Sequence, residues 1–287
     1  MQALTADTRF LAQRGGGRVG QVFTHAVNLL TPGKPGLLTL LCETSDNAPN
    51  SCRLALTHFD NLFRPGESVR FTDSGIYIGD NKWIDIHRCK RWQTPRAVLN
   101  AATFNQIAWR RWHNIIVTQL HEDDTLFLYR GDNPFYHAMS RELQQRREIL
   151  FKALHENKNI GAAVANMIGL GIGLTPSADD YLLGLSVILF IKGHPANHYR
   201  EAFITALQSA QQNTTPLSAI TLEAAINQHY RESIAVMINL MVNQPTTFSI
   251  EAIANIKNIG SSSGSDMLLG MADACALSQT YGGNNVS

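Results

Sequence analysis

The chain has 287 residues, enough for one large domain or two smaller ones with a buried core. A hydrophobic content of 44% and a charged content of 16% are typical of a globular protein and exclude a largely disordered one. The formal net charge of +1 gives no general reason to bind nucleic acid or an anionic membrane.

The charge is unevenly distributed along the chain. Residues 159–287 have a net charge of −4, and residues 1–158 therefore have a net charge of +5. Such cations form either a solvated surface or a surface that docks an acidic partner or holds an anionic substrate. The basic residues concerned are Arg88, Lys90, Arg91, Arg96, Arg110, Arg111, Arg141, Arg146 and Arg147.

The cysteines and the apolar runs indicate a cytoplasmic protein. Cys42, Cys52, Cys89 and Cys275 are widely spaced and form no C-x-x-C pair, so we expect buried free thiols rather than disulfides or a zinc site. The first ten residues lack the pattern of a secretory signal. The longest apolar run, residues 181–191, is too short to span a bilayer and is typical of a core helix.

The first third of the chain is predicted to be rich in β-strands. Short apolar runs bounded by Gly, Pro, Asp and Asn indicate a small barrel or sandwich-like domain over residues 1–95. The runs cover residues 19–30, 36–42, 52–56, 68–71, 75–79 and 82–86. The turn signals Asp-Ser-Gly and Gly-Asp-Asn predict consecutive hairpins in the last three.

The rest of the chain is predicted to be helical. Residues 96–139 form a connecting segment, and residues 140–287 form a helical domain. Pro95, just before the connecting segment, is predicted to open a helix that runs to about 119. The predicted helices are 140–156, 159–168, 176–192, 197–212, 216–229, 231–243, 248–258 and 264–280. Strands followed by helices define the fold class α+β.

One stretch of the helical domain, GLGIGLTPSADDYLLGL (169–185), combines glycines, hydroxyl groups and carboxylates at a helix start. Thr175 is a predicted N-cap, Pro176 suits the first helical position, and Asp179 and Asp180 lie in the first turn. Glycine-rich turns before helices expose backbone N–H groups that bind anions. No lysine follows the glycines, so the stretch is not a Walker loop.

The same pattern recurs later in the chain. Residues 177–185 align with residues 263–271, with Ser, Asp, Leu-Leu and Gly in equivalent positions. We expect two equivalent helix starts that face each other across a pseudo-two-fold axis, with Ser263 or Ser265 as the second cap. Gly184 and Gly270 would allow the two helices to approach closely. Residues 213–225 add a third helix start, rich in hydroxyl groups and capped by Thr215.

These three starts predict a shared pocket. Two carboxylates beside a bare phosphate would repel it, so the pair Asp180 and Asp266 either recruits Mg²⁺ or orients an amide or ureido N–H group. The predicted catalytic residues are Asp179, Asp180 and Asp266, with Asp180 and Asp266 as the candidate Mg²⁺ ligands. The predicted substrate- and anion-binding residues are Gly171, Gly173, Thr175, Ser177, Thr214, Thr215, Ser218, Ser261, Ser263 and Gly264.

The central motif resembles the signature of the AllH-like bacterial family, G-x-G-x-G-L-T-P-S-G-D-D, catalogued as a domain of unknown function or as a carboxylase candidate. VFTHAVNLL with Asn28, the Thr-Thr-x-x-Ser segment at 214–218 and the late Gly-Ser-x-Ser-Gly-x-Asp turn are also similar to the family, over residues 18–280. Ala178 departs from the pattern, since the family usually has glycine there.

The resemblance implies a subunit of the oxamate carbamoyltransferase of anaerobic allantoin catabolism, which converts oxalurate and phosphate to oxamate and carbamoyl phosphate together with partner proteins. Two alternatives stay open. One is a non-catalytic subunit that binds a small anion or acts as a scaffold. The other is a free-standing hydrolase of amide or ureido bonds. Beyond the candidate Mg²⁺, no cofactor is expected.

Overall fold

The chain, described over residues 1–282 in a computed structural model, forms two compact units. Unit 1 comprises Met1–Pro95 and His229–Glu232, and unit 2 comprises Arg96–Gln228 and the described residues from Ser233 onward. Strands build unit 1 and helices build unit 2, which confirms the predicted α+β class. The division into domains 1–95, 96–139 and 140–287 remains a proposal, which limited proteolysis would test.

Unit 1 is a curled sheet. Among the described residues it has nine strands in the order β8-β7-β6-β2-β3-β4-β5-β1-β9. They are β1 (Ala3–Asp7), β2 (Gly15–Val22), β3 (Ala26–Leu30), β4 (Leu37–Leu41), β5 (Ser51–Leu54), β6 (Ser68–Phe71), β7 (Gly75–Ile78), β8 (Lys82–Asp85) and β9 (Lys90–Trp92), with a short helix α1 (Thr8–Leu11) after β1. The residues before β1 reach β8, since the amide of Asp85 donates to the Met1 carbonyl at 2.8 Å. The predicted small barrel-like domain is confirmed.

The turn signals located one set of hairpins in unit 1, whereas another hairpin was missed. β6, β7 and β8 pair as consecutive antiparallel hairpins, as the turn signals Asp-Ser-Gly and Gly-Asp-Asn predict. The run 19–30 is wrong as a single strand, because it folds into a hairpin of β2 and β3. β1 and β9 were not predicted; they pair with each other in parallel at one edge of the sheet.

Unit 2 is helical. Its helices are α2 (Ala101–Gln106), α3 (Trp109–Thr118), α4 (Pro134–Glu156), α5 (Ile160–Met167), α6 (Ser177–Leu189), α7 (Arg200–Ala210), α8 (Pro216–Ile226), α9 (Glu232–Asn243, whose first residue lies in unit 1), α10 (Ile250–Lys257) and α11 (Ser263–Tyr281), with short 3-10 turns at Leu126–Leu128, Pro195–Tyr199 and Gln211–Asn213. The predicted helix from Pro95 to about 119 is wrong. The chain instead forms α2 behind the N-cap Asn100, whose side chain accepts from the Thr103 amide, and then begins again at α3.

Helix α6 is the centre of unit 2. All of its residues from Ser177 to Leu189 are buried, which confirms the prediction of a core helix and agrees with its largely apolar sequence after the first turn. A side chain at Gly184 would overlap the carbonyl of Met267 on α11, and one at Gly270 would overlap the carbonyl of Tyr181 on α6. In the alignment of the two copies, Gly184 matches Gly270 and Tyr181 matches Met267. The contact is therefore reciprocal, as expected of a two-fold arrangement, and the predicted close approach is confirmed.

The cysteines, two buried tryptophans and the composition of the helices complete the description of the fold. The four cysteines are free thiols, of which Cys89 is only half-buried and the others are buried. Trp109 and Trp112 are buried within unit 2, against Phe104 and Phe248 at ring-centroid distances of 5.2 and 5.0 Å. Within residues 1–282, no helix has both the length and the apolar composition needed to cross a membrane.

Candidate functional site

The starts of α6, α8 and α11 meet in unit 2. The hydroxyl of Thr175, before α6, lies 2.9 Å from the hydroxyl of Ser263 at the start of α11. The hydroxyl of Thr215, before α8, donates to the carbonyl of Leu174 at 2.5 Å. The structure thus brings together the three hydroxyl-rich helix starts, whose residues Thr175, Thr215 and Ser263 are 40 to 88 residues apart in the sequence.

Two of the three predicted caps are wrong. The N-cap position of α6 is occupied by Pro176 and that of α11 by Ser262, and neither helix start has a side-chain cap in the described structure. Thr175 and Ser263 contact each other rather than capping the backbone of their own helices. The positive end of each helix dipole favours a negative group, although the amides of Ala178 and Gly264 already donate to the carbonyls of Leu170 and Ile259. At α8 the prediction is confirmed, since Thr215 accepts from the Ser218 amide at 3.1 Å.

Backbone geometry explains most of the glycines before α6. Gly169, Gly171 and Gly173 have φ angles of +84°, +132° and +91°, in the region that favours glycine. A side chain at Gly169 would overlap the carbonyl of Asn213, and one at Gly171 would overlap the amide of Ser177. Gly173 is exposed and has open space around it. Packing alone therefore requires two of the three glycines.

Asp179 ties the three segments together. Its carboxylate accepts from the Gly169 amide at 2.8 Å, from the Ser218 hydroxyl at 2.7 Å and from the Thr214 hydroxyl. The side chain is buried, with 2% of the residue exposed. A buried carboxyl group that accepts several hydrogen bonds has its polar atoms satisfied. Asp179 thus joins the glycine turn and the start of α8 to α6.

Asp180 and Asp266 differ from Asp179 because each keeps an unpartnered oxygen. Asp180 is 2% and Asp266 is 0% exposed, and the Oδ2 atom of each is buried without a hydrogen-bond partner in the described structure. The hydroxyl of Ser263 interacts with Asp180, and the hydroxyl of Ser177 interacts with Asp266. Each copy of the motif thus contributes a serine to the aspartate of the other copy, with the same two-fold reciprocity as the glycine contacts.

Burial controls the ionisation of this carboxyl pair. Desolvation raises the pKa of Asp266 to about 7, although the nearby hydroxyls of Thr125, Ser177 and Ser262 oppose the shift. Desolvation also raises the pKa of Asp180 well above its ordinary value, and the negative charge of Asp266 adds to that rise. Burial therefore favours the protonated form of both carboxyl groups.

The remaining predicted residues lie at the rim of these helix starts or inside the packing. Ser261 is exposed, whereas Gly264 is buried where a side chain would overlap the carbonyl of Ile256. Ala178 is fully buried, and its amide donates to the Leu170 carbonyl at 3.0 Å. The methyl group at this departure from the family pattern is thus part of the packed interior of unit 2.

Two groups of residues were not predicted from the sequence, one in contact with the carboxyl pair and one further along α11. The hydroxyl of Thr125 donates to Oδ1 of Asp266, and Thr125 lies on a segment with no motif that signals it. On α11, Asp273 accepts two hydrogen bonds from Arg147 at 2.6 and 2.7 Å and one from the Tyr181 hydroxyl at 2.6 Å. A signal for Asp273 existed, because a carboxylate inside an apolar helix needs a buried partner.

No group of three or more His, Cys, Asp or Glu side chains in residues 1–282 is arranged to hold a metal ion. One or two carboxylates suffice for Mg²⁺ when a substrate and waters complete its ligands. The unpartnered oxygens of Asp180 and Asp266 fit that role, so the Mg²⁺ site stays a prediction. Cavities of about 600 and 560 Å³ lie elsewhere, beside Phe23 in unit 1 and beside Phe127 in unit 2.

Two family models match the chain. Residues 167–275 match the model described as "Oxamate carbamoyltransferase subunit AllH", and residues 2–91 match the model described as "AllH family N-terminal domain". The first match includes the starts of α6, α8 and α11. No solved structure matches the chain.

Proposed function

Because the chain belongs to the AllH family, we propose that it is a subunit of an oxamate carbamoyltransferase and that Asp180 and Asp266 act on the transferred carbamoyl group. The reaction would transfer the carbamoyl group from oxalurate to phosphate, giving oxamate and carbamoyl phosphate, in allantoin-type nitrogen catabolism. The single observation that carries this proposal is the pair of buried carboxyl groups with unpartnered oxygens at two facing helix starts.

The proton inventory of the reaction suits a pair of carboxyl groups of which one is protonated. An oxygen of hydrogen phosphate bonds to the carbamoyl carbon, and the bond from that carbon to the oxamate nitrogen breaks. The phosphate loses one proton and the leaving nitrogen gains one, so the net charge is unchanged. An ionised carboxylate accepts the first proton and a protonated carboxyl group donates the second. An unpartnered carboxylate oxygen also accepts a hydrogen bond from the carbamoyl NH₂ group.

The uncapped helix starts supply the groups that stabilise negative charge. Carbamoyl transfer places charge on the carbamoyl oxygen in the transition state, and N–H groups at a helix start are oriented to bind it. The hydroxyls of Thr175, Ser177 and Ser263 lie at the same place. Gly173 and Ser261, both exposed, lie beside them and would contact the anionic part of the substrate.

For the remaining predicted residues we propose a supporting role. Thr214 and Ser218 hold Asp179, and Thr215 holds the glycine turn through Leu174. Gly171 and Gly264 allow close packing behind the helix starts. These residues would fix the geometry of the site, and Asp179 would position the turn rather than exchange protons.

The experiment that tests this function is the Asp180→Asn variant, assayed with the partner subunits present. Asparagine keeps the size of the side chain but cannot exchange a proton, so we expect turnover to fall by about 100-fold or more. Glu223→Gln, a change at an exposed carboxylate on α8, is the matched control and should leave turnover unchanged. Wild-type turnover in Asp180→Asn would overturn the proposal.

The two alternatives give different results with the purified chain alone. A non-catalytic anion-binding or scaffolding subunit would show thermal shifts with phosphate and oxamate, and Asp180→Asn would leave the turnover of the complex intact. A free-standing amide or ureido hydrolase would turn over substrate without partners. Mn²⁺ used as a probe would bind the wild type and not Asp180→Asn if the pair holds Mg²⁺.

The family description supports a role in a complex, since it names a subunit. We therefore propose protein partners in addition to the small carbamoyl or anionic substrate. Cys42, Cys52, Cys89 and Cys275 form no disulfide with one another, which agrees with a reducing compartment. The cytoplasm is accordingly the proposed location.

A further inference from the structure

Thr125 contributes a hydroxyl to the carboxyl pair from outside the three helix starts. It lies between α3 and α4, at the N-cap of the 3-10 turn Leu126–Leu128, and is 3% exposed. The hydroxyl oxygen of Thr125 accepts a hydrogen bond from the Phe127 amide at 3.1 Å, and the hydroxyl donates its hydrogen to Oδ1 of Asp266. Because a hydroxyl has one hydrogen, this donation commits it to Asp266.

The turn that carries Thr125 is held from two sides. The carbonyl of Phe127 accepts from the Gln144 side chain at 2.6 Å, and Gln144 belongs to α4. The ring of Phe127 packs against the ring of Tyr181 on α6 at a centroid distance of 5.1 Å. Thr125 is therefore placed by packed helices, as a residue that must hold a carboxyl group in one orientation should be.

Thr125 also breaks the symmetry of the two copies. Asp180 interacts with the hydroxyls of Thr175 and Ser263, whereas Asp266 interacts with three hydroxyls, of which Thr125 alone comes from outside the repeated motifs. The extra donor fixes one oxygen of Asp266 and leaves the other unpartnered. The two carboxyl groups of the pair are consequently not equivalent.

We infer that Thr125 is a positioning residue for Asp266, which holds Oδ1 so that Oδ2 is presented to the carbamoyl group. This inference rests on the proposed function of the Asp180–Asp266 pair.

The test compares Thr125→Val, which replaces the hydroxyl by a methyl group of similar size, with Thr125→Ser, which keeps it. In the complex with its partner subunits, we expect Thr125→Val to lower kcat about tenfold or more, the loss expected for one charge-assisted hydrogen bond. Its KM should change little. Thr125→Ser should restore kcat.

Thr221→Val is the matched control, because the Thr221 hydroxyl bonds only to carbonyls of its own helix, Leu217 and Ser218. If Thr125→Val does not fold, Thr125→Ala removes the hydroxyl without adding a branched methyl group and takes its place. Wild-type kcat in the variant without the hydroxyl, together with an inactive Asp266→Asn, would overturn the inference and leave the function standing. Full activity in Asp266→Asn would overturn the proposed function itself.

Discussion

Two regions at the start of α6 use neighbouring aspartates in opposite ways. Around Asp179 the carboxylate accepts an amide and two hydroxyls and joins three segments of the chain. Around Asp180 and Asp266 each carboxyl group is equally buried but keeps an oxygen without a partner. Satisfied buried groups stabilise a fold, whereas unsatisfied ones cost free energy and need an explanation such as a catalytic role or a bound ion. Burial alone therefore does not distinguish the carboxyl groups that we propose to act on the substrate from the one that holds the fold.

The largest expected effect tests the helix pair that brings the two carboxyl groups together. Gly270→Val should lower the free energy of unfolding by about 3 kcal/mol or more, because the side chain would overlap the carbonyl of Tyr181 in a packed interior. Gly173→Ala is the control. It lies in open space with a φ of +91° and should cost only about 1 kcal/mol. The free energy of unfolding of each variant is measured by urea unfolding, monitored by tryptophan fluorescence. An equal loss of stability in the two variants would contradict the close approach of α6 and α11.

The next effect tests the region around Asp179. Asp179→Ala should lower the free energy of unfolding by about 2–3 kcal/mol, because three hydrogen-bond donors lose their acceptor. Under the same conditions Asp180→Asn should leave stability unchanged or raise it, since it removes a buried carboxyl group with an unpartnered oxygen. The same thermal unfolding curve for the two variants would show that the two regions do not differ.

A smaller effect is expected in the pH dependence of stability. The pKa of Asp266 is raised to about 7 by burial, whereas an unfolded Asp titrates near 3.9. Between these values the folded protein binds more protons than the unfolded chain, so the free energy of unfolding falls as pH rises. From pH 5 to pH 7 it should fall about 2 kcal/mol further in the wild type than in Asp266→Asn. Parallel curves from urea unfolding at each pH, or a wild type that gains stability over this range, would contradict the account.

Much of the fold could be predicted because its signals are local. Turn residues bounded the hairpins of β6, β7 and β8, and apolar periodicity located the helices from α4 onward. The hairpin of β2 and β3 was missed because its turn, Phe23-Thr24-His25, has no glycine or proline. The run 19–30 therefore had the composition of one strand.

The site could be predicted only in part, because its key contacts are distant in sequence. The repeat and the hydroxyl content located the three helix starts, but a local capping rule assigned Thr175 to its own helix. Its actual partner, Ser263, lies 88 residues away. Thr125 gave no signal, because a threonine in an irregular segment has many uses and its partner Asp266 is 141 residues further on.

The most direct measurement compares Asp179→Asn with Asp180→Asn in turnover and in thermal stability, with the partner subunits present. If Asp180 exchanges a proton with the substrate, Asp180→Asn should lose at least about 100-fold in turnover and keep its melting temperature. Asp179→Asn should melt several degrees lower and, below its melting temperature, retain more turnover than Asp180→Asn. Full turnover in Asp180→Asn, with turnover lost in a stable Asp179→Asn, would contradict the central claim.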